Sequence, residues 1–257
     1  LLVLVLFCEP INNCRRWLHI EGIPGSIQVS EIVKFEMTLM TANLMCSYRT
    51  RRRTFKYGIL YPLAPLIPVV PLMLMEPHLS GTIIICAIVG TIMLLGGSGG
   101  KWIPILVGSV AALAGILYGF ASDFLTQLIS YVGDRLDGWT WDLNLMPWQT
   151  KQSLYAIGSG GLTGVGFGNS MEKQLWLPEC VNDFIFSVIC EELGFIGCAF
   201  VLVILGLIIA RCIWVGRQSH DYKRRLICYG AAAALIFQVV INIGMCIGVA
   251  PVIGLTL

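Results

Sequence analysis

Two long runs constrain this chain more than anything else in it. Phe184 to Ile209 carries only two charged side chains, Glu191 and Glu192, and Leu226 to Val249 carries none. A helix needs about 20 apolar residues to cross a hydrocarbon core of about 30 Å, so both runs are long enough to span a bilayer. With 56% hydrophobic and only 12% charged residues, the chain carries about half the charge of a soluble domain. A chain of this kind dissolves in lipid.

Five other apolar runs predict further helices or parts of helices: Leu1 to Phe7, Val29 to Tyr48, Tyr57 to Met75, Thr82 to Leu95 and Trp102 to Phe120. The chain opens inside a hydrophobic segment and stops at Gly254-Leu-Thr-Leu, so it reads as a fragment of a longer bundle. The expected fold is an all-α polytopic membrane protein with a single transmembrane domain over 1–257. A large external loop, 121–181, precedes the helix starting near Phe184. Pro62, Pro65, Pro68 and Pro71 predict a bent helix packed inside the bundle, where neighbours take up the freed carbonyls. Gly96 to Lys101 predicts a flexible turn.

Sidedness follows from where the basic residues fall. Arg49, Arg51, Arg52, Arg53 and Lys56 share one turn, Lys101 another, and Arg217, Lys223, Arg224 and Arg225 a third. These turns should be cytoplasmic by the positive-inside rule. Asp221 is the one acid among them. The loop 121–181 is then external, and its tryptophans at 139, 141, 148 and 176 suit a membrane-water interface. Arg15 and Arg16 fall on the external side too, against the rule. They are either stray charge in a short loop or a holder for an anionic group such as a lipid pyrophosphate. A net charge of +2 says little about partners, because placement matters more than sum, and no nucleic-acid partner is expected. Most of the ten cysteines lie in or beside apolar runs and read as small buried hydrophobes. Only Cys14 and Cys180 sit in loops, where one bridge is open.

Function should reside between Lys151 and Gly197. This stretch starts glycine-rich and runs without interruption into an apolar helix, which suggests a mobile loop anchored to a rigid rod. Asp183, Ser187 and Glu191 recur every four residues with Glu192 beside the last, placing Glu191 about 12 Å below Asp183. Acids in lipid are costly unless they face polar surroundings, so the stripe should line a polar cavity. Glu31 and Lys34 share one face near the outer end of their helix, either as a structural ion pair or as part of a site. Gln238 and Asn242 read more readily as interhelical hydrogen-bond groups than as ligands. Gly194 and Gly197 read as small residues that allow close helix packing. The glycines from 158 to 168 lack the context of a phosphate-binding loop.

The segments QSLYAIGSGG (152–161), GVGFGNSMEK (164–173), LPE (177–179), DFIF (183–186) and EELGFIG (191–197) stand in that order and spacing. Together with RRW (15–17), SEIVK (30–34), EPHLSGT (76–82), Arg135, Gln149 and the run from Gln238 to Pro251, they resemble the SEDS peptidoglycan glycosyltransferases, the family of FtsW, RodA and SpoVE. The form EPHLSG leans toward the division and sporulation branch. Asn13-Cys14, Val29 and Val181-Asn182 depart from the family pattern, which bears on loop geometry more than on chemistry.

The resemblance implies a multi-pass protein of the bacterial plasma membrane that polymerises lipid II at the outer face, releasing undecaprenyl diphosphate. It implies Asp183 as the catalytic acid of the DFIF motif and Arg15, Arg16, Glu31, Lys34, Gln152, Ser153, Lys173 and Glu179 as substrate-binding residues. It also implies undecaprenyl-diphosphate-linked glycan as a second substrate and a class B penicillin-binding protein as partner. A divalent cation, Mg or Mn, is an expected cofactor with no ligands assigned. The physical reading of Asp183 is a general base that takes a proton from the attacking sugar hydroxyl. A flippase or transporter of the same lipid-linked precursor is the alternative, since broken helices and intramembrane acids suit a carrier as well.

Overall fold

The computed structural model describes residues 2, 17–19, 26–75, 79–98, 146–177, 180 and 182–250. The expected span from Trp102 to Phe120, and all but one residue of Leu1 to Phe7, lie outside these. The chain divides into two compact units, one made of Leu1–Ile105 with Ile209–Phe237 and the other of Leu106–Ile208 with Gln238–Leu257.

In the first unit a short antiparallel ribbon of β1 (Trp17–His19) and β2 (Ser26–Gln28), with Leu18 opposite Ile27, runs directly into helix α1 (Val29–Ser47). No strand is expected there from the sequence pattern. Three-residue strands are too short for alternation to mark them. Along α1, Val29, Val33, Met37, Thr41 and Met45 recur every four residues and are buried. They face α3 (Leu79–Leu95), whose Ile84, Ile85, Ile88 and Ile92 are fully enclosed. The opposite side of α1 exposes Phe35, Leu39 and Met40. A helix apolar on both faces suits a lipid neighbour on the outside.

The proline-rich segment is a broken rod. A π-helical turn at Lys56–Leu60 leads into one helical turn, Tyr61–Leu63, and then α2 (Leu66–Met75). Pro62 and Pro65 are buried while Pro68 and Pro71 are exposed, so this segment packs on one face rather than being enclosed as expected. Of the turn expected at Gly96 to Lys101, only residues 96–98 are among those described, and hydrogen bonds hold these in place. The Ser98 and Gly97 amides return to the Met93 and Leu94 carbonyls, with Gly97 left-handed at φ 79°, closing the helix in a Schellman motif. The Ser98 hydroxyl then donates to the Gly58 carbonyl at 2.7 Å.

Tyr222, at the start of α7 (Tyr222–Cys246), ties this basic end together. Its hydroxyl donates to the Gly96 carbonyl and accepts from Arg52 Nη1 at 3.1 Å. Arg49, Arg52 and Arg225 place their guanidinium groups 4.8, 5.5 and 5.4 Å from the centre of its ring. Tyr222→Phe leaves a buried carbonyl unpaired, and a loss of about 1–3 kcal/mol in stability is expected. Thermal unfolding of the variant in detergent reads this directly, and an unchanged melting temperature would contradict it.

Within helix α6 (Ile185–Gln218), α7 and the segment Lys56–Leu74, stretches of 18 residues reach mean hydropathies of 2.9, 2.1 and 1.7; by length and composition all three can cross a membrane. They confirm the expected spans, with α6 extending well past Ile209. Asp221, the lone acid in its basic turn, caps α7: its carboxylate accepts from the Lys223 amide at 2.9 Å.

Candidate functional site

The second unit is built around a break in α6. At Gly194 the backbone leaves the helix, with φ 65° and ψ −169°. Interrupting a helix frees carbonyls below the break and amides above it. Residues 160–166, which follow α4 (Trp148–Ser159), take up both sets. Val165 and Gly166 amides donate to the Glu191 and Glu192 carbonyls at 2.9 and 3.1 Å. Phe195 and Ile196 amides donate to the Gly161 and Leu162 carbonyls at 2.9 and 3.2 Å. The glycine-rich segment is therefore not the mobile loop expected from composition but a strap bonded across the break.

The approach is close enough to require its glycines. A Cβ on Gly160 would overlap the Cys190 carbonyl, one on Gly164 the Glu192 carbonyl, and one on Gly194 would come within 2.6 Å of the Leu162 carbonyl carbon. Gly194 thus serves the break rather than helix packing. The bend brings Cys198 Sγ to 2.7 Å from Cys190 Sγ, although eight residues of straight helix would separate them by about 12 Å.

The acids expected to line a cavity meet protein instead. Glu191 is 2% exposed. Its carboxylate accepts from Ser170 Oγ at 2.5 Å and from the Met171 amide at 2.9 Å, holding the start of α5 (Met171–Leu175). Ser170 Oγ in turn caps that helix by accepting from the Lys173 amide at 3.0 Å. Glu192, also buried, lies 3.7 Å from Lys173 Nζ. A stripe of acids in lipid needs polar partners, and here the strap and α5 supply them.

Glu172, on α5, has one carboxylate oxygen buried with no hydrogen-bond partner among the described residues. Burial first, and then the charge of Glu191, raise its pKa. A raised carboxylate stabilises the fold when protonated, and that contribution is lost as pH rises through its folded pKa. Glu172→Gln is accordingly expected to raise the melting temperature at neutral pH and to leave it unchanged in acid, below the usual glutamate range. A thermal scan at the two pH values checks this.

Asp183 sits two residues ahead of α6, half-buried, between anchors. Phe184 and Phe186 are buried beside Leu177 and Val188. The Asp183 carbonyl accepts from Asn242 Nδ2 at 2.9 Å, so α7 fixes the backbone that carries the carboxylate. Asn242 is the interhelical group expected of it. Ser153, fully buried, shares a 2.6 Å hydrogen bond with Ser187 and donates to the Cys246 carbonyl at 2.7 Å. These bonds pack α4 on α6 and α7. Gln152 is buried too.

A family model described as cell cycle protein, FtsW/RodA/SpoVE, matches residues 1–257. The chain belongs to this family. A probable peptidoglycan glycosyltransferase FtsW from Halomonas elongata is 34% identical over 100% of this chain and 65% of its own length. The corresponding protein of Coxiella burnetii is 35% identical over 100% of this chain and 69% of its own. The chain thus spans about two thirds of the length of these relatives. Among solved structures, one of a peptidoglycan synthase complex that coordinates polymerization and crosslinking aligns with a TM-score of 0.71, 25% identity and 100% of this chain against 70% of its counterpart. The crystal structure of the rod shape determining protein RodA of Thermus thermophilus aligns at 0.62, with 27% identity, 99% of this chain and 66% of its counterpart. The FtsW/RodA/SpoVE chain described here is therefore an all-helical, multi-pass membrane protein apart from its short ribbon.

Of the residues that the family resemblance assigned, Arg15, Arg16 and Glu179 lie outside the described residues. Glu31 and Lys34 form a 2.7 Å ion pair at the start of α1, with Lys34 buried and Glu31 at its rim. Lys173 keeps its head half in solvent beside Glu192. Trp148 and Trp176 are half-exposed, and Trp148 Nε1 donates to the Trp176 carbonyl at 3.2 Å, as interfacial tryptophans do. The thiol of Cys180 is free and lies 3.6 Å from the Lys173 carbonyl. What sequence reasoning missed is the capping role of Glu191 on α5; Ser170, an N-cap residue just ahead of that helix, marked the helix start but not its distant partner. Among the described residues no three His, Cys, Asp or Glu side chains are arranged to hold a metal ion.

Proposed function

We infer that this chain carries the core of a peptidoglycan glycosyltransferase that polymerises lipid II at the outer face of the bacterial plasma membrane. The observation that carries this reading is the placement of Asp183: a half-buried carboxylate on a backbone pinned by Asn242, at the head of a membrane-spanning helix. In the proposed step a sugar hydroxyl attacks the anomeric carbon that bears the lipid diphosphate. The new C–O bond forms as the bond to diphosphate breaks, and Asp183 takes the hydroxyl proton. One displacement inverts that carbon. Lys173, Arg15 and Arg16 are the cations offered to the departing diphosphate. A divalent cation, Mg or Mn, would add to the neutralisation of that diphosphate.

The engagement of the acids favours an enzyme over a carrier. A carrier leaves its polar groups open to its cargo near the bilayer midplane. Glu191 is instead bonded to Ser170 and the Met171 amide, and Glu192 lies beside Lys173. A class B penicillin-binding protein is the proposed partner, in keeping with the similarity to a synthase complex that couples polymerization to crosslinking.

The test is incubation of the full-length protein and its partner with lipid II in proteoliposomes, reading glycan strands by gel and lipid movement by a membrane-impermeant reagent. Strands are the expected product. Lipid movement without strands would overturn the reading in favour of transport.

A further inference from the structure

We propose that the cytoplasmic end of the α6–α7 hairpin holds the phosphodiester headgroup of an anionic phospholipid. A cleft of about 650 Å³ opens in the first unit between the last turns of α6 and the first turns of α7, lined among others by Arg211, Trp214, Val215, Arg224, Ile227 and Cys228. Its walls are of two kinds. Val215, Ile227 and Cys228 give it an apolar floor, while two guanidinium groups and an indole stand over it. That division matches an amphiphile with a negative head.

Arg211 is the residue that positive-inside placement alone does not explain. It lies about two helical turns inward from Gln218, at the inner end of the uncharged stretch that follows Glu192, where a charge is costly without a partner. Among the described residues it makes no ion pair. Its guanidinium lies over the Trp214 ring, 4.1 Å from the ring centre, and both side chains line the cleft. Arg224, on the other wall, is four-fifths exposed and only loosely paired with Asp221, at 3.5 Å. Asp221 is the acid at the rim, and its carboxylate is already engaged by the Lys223 amide as the cap of α7. Two guanidinium forks at the level of the inner headgroups suit the oxygens of a phosphodiester. Tryptophan is the side chain that favours this depth.

Tight packing of the two helices bounds the cleft on one side. Gly216 lets α6 approach α7 closely, with Cys228 Cβ and Tyr229 Cε1 each 3.0 Å from where its own Cβ would stand.

The probe is cardiolipin, compared with phosphatidylcholine and with inorganic phosphate, applied to the full-length protein in detergent and followed by native mass spectrometry and thermal unfolding. The wild type is expected to retain cardiolipin and to melt higher with it, but not with phosphatidylcholine. Arg211→Gln/Arg224→Gln is expected to retain it about 30-fold less, the equivalent of about 1 kcal/mol for each guanidinium near an anionic headgroup. Both side chains are exposed, so melting in phosphatidylcholine should match the wild type. Arg217→Gln/Lys223→Gln removes the same charge outside this cleft and is expected to retain cardiolipin nearly as well. Equal loss in the two double variants would reduce the effect to diffuse charge and overturn the proposal. So would equal retention of phosphatidylcholine, or an equal response to inorganic phosphate, which would make it a site for free anions.

Discussion

Asp183→Ala is expected to lower glycan polymerisation from lipid II about 100- to 10,000-fold, the range that a positioned general base contributes. The prediction concerns the chemical step and not the fold. The loop before α6 is held by the Asp183 carbonyl on Asn242 and by the burial of Phe184 and Phe186, and alanine keeps all three. Thermal unfolding of the variant checks that the loss is one of rate and not of folded protein. Asp183→Asn, which keeps the size and loses the basicity, should be as inactive as alanine. If either variant polymerised at the wild-type rate, the catalytic assignment would fail even with the family membership intact. Asn242→Ala offers a different readout. It frees the backbone under the carboxylate, so activity should fall by less than with Asp183→Ala, and the pH dependence of the rate should keep its shape.

Gly194→Ala should have the largest effect on stability. The backbone at φ 65° and ψ −169° lies in a region open essentially to glycine alone, which costs other residues about 1–3 kcal/mol. The added Cβ would also press on the backbone of Leu162 and Gly164, which is bonded across the break and has little room to yield. Overpacking adds about 1–3 kcal/mol more. At about 2–4 °C per kcal/mol for a chain of this size, a fall of about 10 °C in melting temperature is expected. Gly206→Ala is the matched control on the same helix, because nothing lies within 4 Å of its added Cβ. It should be neutral or slightly stabilising, since alanine is the better helix former. A Gly194 variant that melted like the Gly206 variant would show that the strap does not depend on this glycine.

The strap has a functional consequence as well. Through Val165, Gly166, Phe195 and Ile196 it holds the break from both sides, and through Ser170 and Glu191 it sets α5, which carries Lys173. Asp183 and Lys173 are both attached, from opposite directions, to the portion of α6 below the break. Loosening Gly194 should therefore cost activity beyond the loss of folded protein, measurable as a lower rate per folded molecule.

The length of each apolar run is a local property, and it sufficed to place α1, α3, α6 and α7 and to make the chain a membrane protein. Spacing within a helix is equally local: Glu31 and Lys34 were bound to meet once α1 formed, and Asn242 was bound to face a neighbour. Sequence could not foresee where freed backbone groups find partners, because that depends on residues tens of positions away. Composition made 158–168 look mobile, yet a break at Gly194 gave those glycines carbonyls and amides to bond. The same non-local pairing drew Ser153 into the packing of α4 and turned Glu191 from a cavity acid into a helix cap. What the order of residues decided was which segments enter lipid and where the acid of the DFIF motif stands along the chain. What only the folded arrangement decided was which polar groups remain open to chemistry, since in a bilayer every buried donor and acceptor must find a protein partner, and the first to find one is no longer available to a substrate.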